Sequence, residues 1–417
     1  MHRTRRRWSR SLWAIATCAG VAALPMLAGT AQATPSVVST DAPIVAPTLF
    51  AGPPPTVPGG TTTATNPDDI TRLGDLVYVS FQNNAGKDGT PAGSFSTIAA
   101  YRADTGALVT TYQVAGRCDG LTADPAHHRL LASANEDNNS SLFVIHPGQP
   151  TPKHYTYSPN PAETGTDGTN GGTDAISVAP DGTVYVAHSN PDPSLPAPDN
   201  TAAVYTMTLA GDTATLTPLF GVNDTAQVIN PASGAPTSAP LALTDPDSNR
   251  YLPGAGGGTL VQDAQADSKL VLATDLHAAK PTLRQLMLTN AAPTSSNQPA
   301  TPQLDDLTRV HGPGLLLVVD QKDDKIYSID TTTVRPGTVF VSQPAPGASD
   351  LPNDPALGVV NLSTGVVTHL DAKFASPKGL LFLAADHNDQ ESGTEDLPQT
   401  ISDVQNLLQS ILGGLHF

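Results

Sequence analysis

The chain has 417 residues, of which 39% are hydrophobic and 14% charged, with a formal net charge of −17. That acidity argues against a nucleic-acid partner, which needs basic patches facing its phosphates. No stretch beyond the first 30 residues has the roughly 18 uninterrupted apolar residues of a membrane-spanning helix, so no such helix is expected in the rest of the chain.

Five arginines stand among the first ten residues, followed by an apolar run from Leu12 to Gly29 and by Ala31-Gln32-Ala33, a small-x-small cleavage pattern. Residues 1–33 read as a bacterial-type export signal, and Thr4-Arg5-Arg6-Arg7-Trp8-Ser9-Arg10 resembles a twin-arginine leader, with general secretion as the alternative. The predicted location is therefore secreted, extracellular or in the cell envelope. Without this leader 16 basic side chains face 38 acidic ones, and Cys118 is the only cysteine, so no internal disulfide can form. Cys118 stands beside Asp119, whose charge disfavours a thiolate, and reads as buried and inert.

Residues 34–65 are Pro-, Thr- and Gly-rich without periodicity and are expected to form a linker. A repeat follows over 66–386. Its clearest copy is 171–220, where four runs rich in Val, Thr, Tyr, Ile and Ala (174–179, 183–188, 202–209, 213–219) are separated by turns such as Asp181-Gly182 and Gly211-Asp212. Other copies lie at 67–113, 118–158, 259–288 after an insertion at 222–258, 304–330 and 337–370. PDDITRLGDLVYVS (67–80) matches LDDLTRVHGPGLLLVV (304–319), and AAYRADTGALVTTY (99–112) matches GVVNLSTGVVTHL (358–370). Four-stranded repeats of about 50 residues without helical periodicity predict an all-β fold, a β-propeller of six blades, with seven as the alternative. GLLFLAAD (379–386) looks like an inner strand. From 387 the chain reads as a polar linker and then an amphipathic helical tail, with Ile401, Val404, Leu407, Leu408, Ile411 and Leu412 on one face.

Aligned inner strands place Asp68, Asp119, Asp174, Asp305 and Lys378 at one rank, which a propeller gathers at one mouth of its central channel. Converging carboxylates stay ionised only with positive charge among them. Calcium, which accepts irregular sets of oxygen ligands, is the expected cofactor on Asp68, Asp119, Asp174 and Asp305, with Lys378 as an alternative source of charge. The ends of the second strands carry Gln82, Asn135, His188, Asp275 and Asp320. Asn135, Asp275, Asp320 and Lys378 are expected to contact a ligand at the rim, and His188 and Asp174 are the candidates for acid–base chemistry. Asp245-Pro246-Asp247-Ser248-Asn249 alternates oxygen ligands like a calcium loop but lacks that loop's glycine and distal Glu.

The Cys-Asp119-Gly-Leu and Asp-Asp-Ile/Leu strand starts, followed by Tyr-Val-Ala/Ser strands, resemble the six-bladed propellers of the gluconolactonase and senescence-marker-protein type and the NHL-repeat proteins. That resemblance covers 67–386. It implies a divalent metal over the channel, with Asp119 at the Asp ligand's place, Asp174 where the family has Asn and Asp68 where it has Glu. Two functions follow: an exported, monomeric propeller that binds a small-molecule ligand or another envelope protein at an Asp-rich mouth, or a metal-dependent hydrolase of lactones or small esters.

Overall fold

The structure is a computed structural model that describes residues 46–161, 171–191, 202–230, 234, 237–254, 257–291, 301–345 and 355–385. The predicted leader and the predicted helical tail lie outside the described residues. The regular secondary structure of the described residues is almost wholly strand, and no helix among them is long and apolar enough to cross a membrane.

After β1 (Thr48–Ala51), the first antiparallel unit comprises β2 (Pro67–Leu73), β3 (Leu76–Phe81), β4 (Phe95–Arg102) and β5 (Leu108–Ala115), paired in that order. The second comprises β6 (Cys118–Asp124), β7 (Arg129–Ala134), β8 (Ser141–Ile145) and β9 (Lys153–Ser158). The third comprises β10 (Thr173–Val178), β11 (Val184–His188), β12 (Ala202–Ala210) and β13 (Thr213–Gly221). Its turns contain Gly182 and Gly211 at φ of 86° and 60°, where a side chain would be strained, which is why Asp-Gly and Gly-Asp mark them in the sequence.

The stretch 222–258, read as an insertion, holds two things. The hairpin β14 (Thr225–Val228) and β15 (Thr237–Pro240) covers the outer edge of the fourth unit. The strand β16 (Pro246–Leu252) is that unit's innermost strand, followed by β17 (Thr259–Ala264), β18 (Lys269–Thr274) and β19 (Thr282–Met287). The calcium-like run 245–249 is therefore a strand start.

The last two units interleave. After the short edge strand β20 (Thr289–Asn290), the chain forms β21 (Asp306–Arg309), the inner strand of the fifth unit. The hairpin β22 (Gly314–Asp320) and β23 (Lys325–Asp330) then crosses to the sixth unit, before β24 (Val339–Gln343), β25 (Ala356–Val360) and β26 (Val366–His369) complete the fifth. β27 (Pro377–Ala384) closes the sixth from inside and β1 closes it from outside, so strands from near both ends of the chain share one sheet. Two expectations are corrected here. Residues 304–330 span two units, and Thr48–Ala51 is a strand inside the stretch read as linker.

The inner strands β2, β6, β10, β16, β21 and β27 touch in cyclic order, with β27 returning to β2. Six apolar clusters fill the six seams; Leu73, Tyr78 and Ile98 meet Leu130 and Phe143 in one, and Ile70 and Val79 meet Leu317 and Leu383 in another. The chain is a β-propeller. Both faces of each sheet are buried, which explains strands built from Val, Leu, Ile and Ala. At about 1.5–3 kcal/mol per fully buried aliphatic side chain, the seams stabilise the ring without a disulfide.

An acidic channel mouth as candidate functional site

Five inner strands open with a β-bulge one or two residues in: Pro67 pairs with Phe81 and Ile70 with Val79, and the same slip recurs in β6, β10, β16 and β27. A bulge re-aims the side chain at its extra residue. Here it brings Asp68, Asp119, Asp174, Asp247 and Lys378, together with Asp305 from the fifth unit, onto the wall of one cavity of about 1140 Å³. Gly120, next to Asp119, is required by close approach: a Cβ there would stand 2.5 Å from the Asp174 carbonyl oxygen. The small residue after Asp119 is thus a packing requirement. Asp247 belongs to the Asp rank and was missed, because DPDSNRYL lacks the β-branched residues of a strand. Its signal was the Pro-x start shared by Pro67-Asp68, Pro246-Asp247 and Pro377-Lys378.

Basic side chains are interleaved with these acids. Lys378 Nζ lies 2.5 Å from Asp305 Oδ1 and 3.2 Å from Asp68 Oδ1, and Gln321 Nε2 donates to Asp68 at 3.2 Å. Arg117 Nε is 2.9 Å from Asp119 Oδ1, which also accepts from Gln82 Nε2 at 2.7 Å. Arg117 and Lys87 both reach Glu136 Oε1 at 3.2 Å. Burial would raise the Glu136 carboxyl, but these two cations prevail and hold it below the ordinary range. Burial raises Asp119 well above the usual carboxylate value even with Arg117 opposing it. Its Oδ2 is buried and meets no hydrogen-bond donor.

Asp174 and Asp247 hydrogen-bond each other across the seam between the third and fourth units. Burial raises both; Asp247 is the next cause for Asp174, and Asp305 for Asp247, so the pair keeps a proton where isolated carboxyls would lose it. Deeper in the channel Arg250 spans three units. Its Nε donates to the Leu307 carbonyl at 3.0 Å, and its Nη2 to Asp306 Oδ2 at 2.9 Å and to the Leu380 carbonyl at 3.0 Å.

The remaining expected residues lie elsewhere. His188 is buried in its own blade; Nδ1 stands 2.8 Å from the Ala202 carbonyl oxygen and 3.3 Å from the Tyr205 hydroxyl, and burial depresses the ring to about 4. It does not line the cavity. Asn135 accepts from the Arg117 amide at 3.0 Å and donates to the Asn139 carbonyl at 3.0 Å, so it positions Arg117. Asp320 accepts from the amides of Ala375 at 2.7 Å and Ser376 at 2.9 Å and so fixes the approach to Lys378. Asp275 is exposed and accepts from Thr282 Oγ1 at 2.6 Å. Asn135 and Asp275 have φ of 68° and 55°, a conformation that Asn and Asp tolerate, which accounts for these residue types at strand ends.

The carboxylates expected to share a calcium ion do not fit that role. Lys378 stands between Asp68 and Asp305, Arg117 holds Asp119, and among the described residues no three His, Cys, Asp or Glu side chains stand close enough to hold a metal ion.

No family model matches the sequence, and neither does any curated protein. Among solved structures, the Pseudomonas aeruginosa periplasmic gluconolactonase is similar at 13% identity, over 78% of this chain and 90% of that one, with a TM-score of 0.43. A putative gluconolactonase is similar at 12% identity over 81% and 91%, with a TM-score of 0.41. Kuenenia stuttgartiensis hydrazine synthase is similar at 13% identity over 78% and 67%, with a TM-score of 0.39. The fold follows from the strand pairings themselves, and these likenesses add no activity to it.

Proposed function

We propose that this propeller is a binding module that takes a small organic cation, of the amine or guanidine class, at its acidic mouth. The observation that carries this reading is the Asp119 carboxyl, which lines the cavity and whose buried Oδ2 meets no donor. Leaving such an oxygen without a donor costs about 1–3 kcal/mol, which a ligand N–H recovers. Among the described residues of the mouth, Lys378, Arg117 and Lys87 serve six acidic groups, and the Asp174–Asp247 pair is in no ion pair, with Lys378 acting on Asp247 only through space. Lys378 is an internal example of the chemistry: an ammonium held between the carboxyls of Asp68 and Asp305, from the two units that flank its own. The leader read in residues 1–33 would put this site outside the cytoplasm.

Thermal unfolding of the full chain with a diamine, a guanidinium compound, a neutral polyol and Ca²⁺ tests the reading. Binding to the native state alone stabilises by about 2.7 kcal/mol at a hundred times Kd, so the two cations should raise the melt by several degrees. A melt moved by neither cation would overturn the proposal.

A second reading, hydrolysis of a lactone or small ester, is favoured by the Asp174–Asp247 pair, in which one carboxyl holds a proton while the other accepts one from water. Proton release from a δ-lactone, lost in Asp247→Asn, would support it. Release no faster than in buffer would dispose of it.

A further inference from the structure

The fourth unit breaks a rule that the other five keep. One rung below the mouth, the inner strands carry Ile70, Leu121, Ile176, Leu307 and Leu380, each opposite a Val or Ala of the second strand. In the fourth unit the same rung is Asn249 opposite Gln262. Both are buried, at 6% and 0% exposure.

Their nitrogens are committed. Asn249 Nδ2 donates to the Ala175 carbonyl at 3.3 Å. Gln262 Nε2 donates to the carbonyls of Asp247 at 3.1 Å, Ser248 at 3.0 Å and Asp263 at 2.8 Å. These carbonyls fix which end of each amide is nitrogen. Asn249 Oδ1 and Gln262 Oε1 are both buried without a donor. A polar pair in a rung that packs apolar everywhere else destabilises the sheet, so its presence asks for a role. Asn249 lines the cavity beside Asp174 and Asp247, whereas Gln262 stands behind it and grips the backbone of Asp247 and Ser248.

Resting on the binding reading above, we propose that Asn249 is the specificity-determining residue of the mouth. Its Oδ1 receives a second N–H of the bound cation, and Gln262 is the positioning residue that holds Asp247 and Asn249 in register. The ligand class narrows accordingly. Asp119 and Asn249 each need an N–H, so a primary ammonium or a guanidinium is bound and a quaternary ammonium, which has no N–H, is not.

The test is calorimetric titration of the full chain with a guanidinium compound and with a tetramethylammonium salt, on the wild type, Asn249→Leu, the double variant Asn249→Leu/Gln262→Val, and Asn249→Asp. The wild type should prefer the guanidinium by tenfold or more. Both Leu-containing variants should lose that preference, and their melting temperature should fall as the carbonyls of Ala175, Asp247, Ser248 and Asp263 lose amide donors. Asn249→Asp keeps an acceptor and should retain guanidinium affinity. Unchanged guanidinium affinity in the double variant overturns the proposal. So does a loss of guanidinium affinity in Asn249→Asp as large as in Asn249→Leu, which makes the amide structural. If the wild type binds neither cation, it is the binding reading itself that fails.

Discussion

Lys378 Nζ stands 2.5 Å from Asp305 Oδ1, so the inner strand that closes the ring is tied by charge to the unit before it. The same nitrogen reaches Asp68 in the unit after it at 3.2 Å. Lys378→Met would leave two buried carboxyls facing each other without a cation. Removing one partner of a buried pair costs about 3–5 kcal/mol, and urea unfolding should show a loss of that order, with the seams on either side of β27 opening first in hydrogen exchange.

Arg250 ties the fourth, fifth and sixth units through a planar fork that lysine cannot reproduce. Arg250→Lys keeps the charge but loses the bonds to the Leu307 and Leu380 carbonyls. A destabilisation of about 2–3 kcal/mol is expected by denaturant titration, with ligand affinity at the mouth changed less than threefold.

Acid should stabilise this protein. Burial raises Asp245 and Asp305 to about 6. A carboxyl with a raised folded value contributes stability that is fully present below its ordinary value near 4 and is lost as pH rises through about 6. Asp69, Asp119, Asp174, Asp247 and Asp263 are raised as well, each chiefly by burial. His188, depressed to about 4, acts in the opposite sense and withdraws stability as pH falls below its ordinary value of 6.5. Carboxyls outnumber it, so the melting temperature at pH 5 should exceed that at pH 7.5; a lower value at pH 5 would refute this.

His188→Leu should cost about 1–3 kcal/mol, because the buried Ala202 carbonyl loses its donor. Cation binding should be unchanged within error in the same variant, since the ring is outside the cavity. A loss of binding at full stability would restore His188 to the functional site.

The meander and the ring were legible because β-branched runs, Asp-Gly turns and the Asp rank are local signals. The interleaving of the last two units was not. PDDITRLGDLVYVS and LDDLTRVHGPGLLLVV look alike, yet the first forms one hairpin, while the second leaves β21 at His311-Gly312-Pro313 and sends β22 to pair with β27. Which neighbour a strand chooses depends on where a partner far along the chain lies. The Asp rank was legible for Asp68, Asp119, Asp174, Asp305 and Lys378, but not for Asp247 in a strand as polar as a loop. Arg117, Glu136 and Lys87 sit in loops between strands, where no strand pattern marks them, so only the fold brings them to the mouth.

The central claim is that Asp119 and its neighbours bind an organic cation. Calorimetric titration of a guanidinium compound into the full chain, its Asp119→Asn variant and Asp275→Ala, a variant at an exposed position outside the cavity, tests it most directly. Binding to the wild type and Asp275→Ala, weakened at least tenfold in Asp119→Asn, is the predicted result. Equal heats in all three proteins would contradict the account and leave the acidic mouth as a structural ion-pair network.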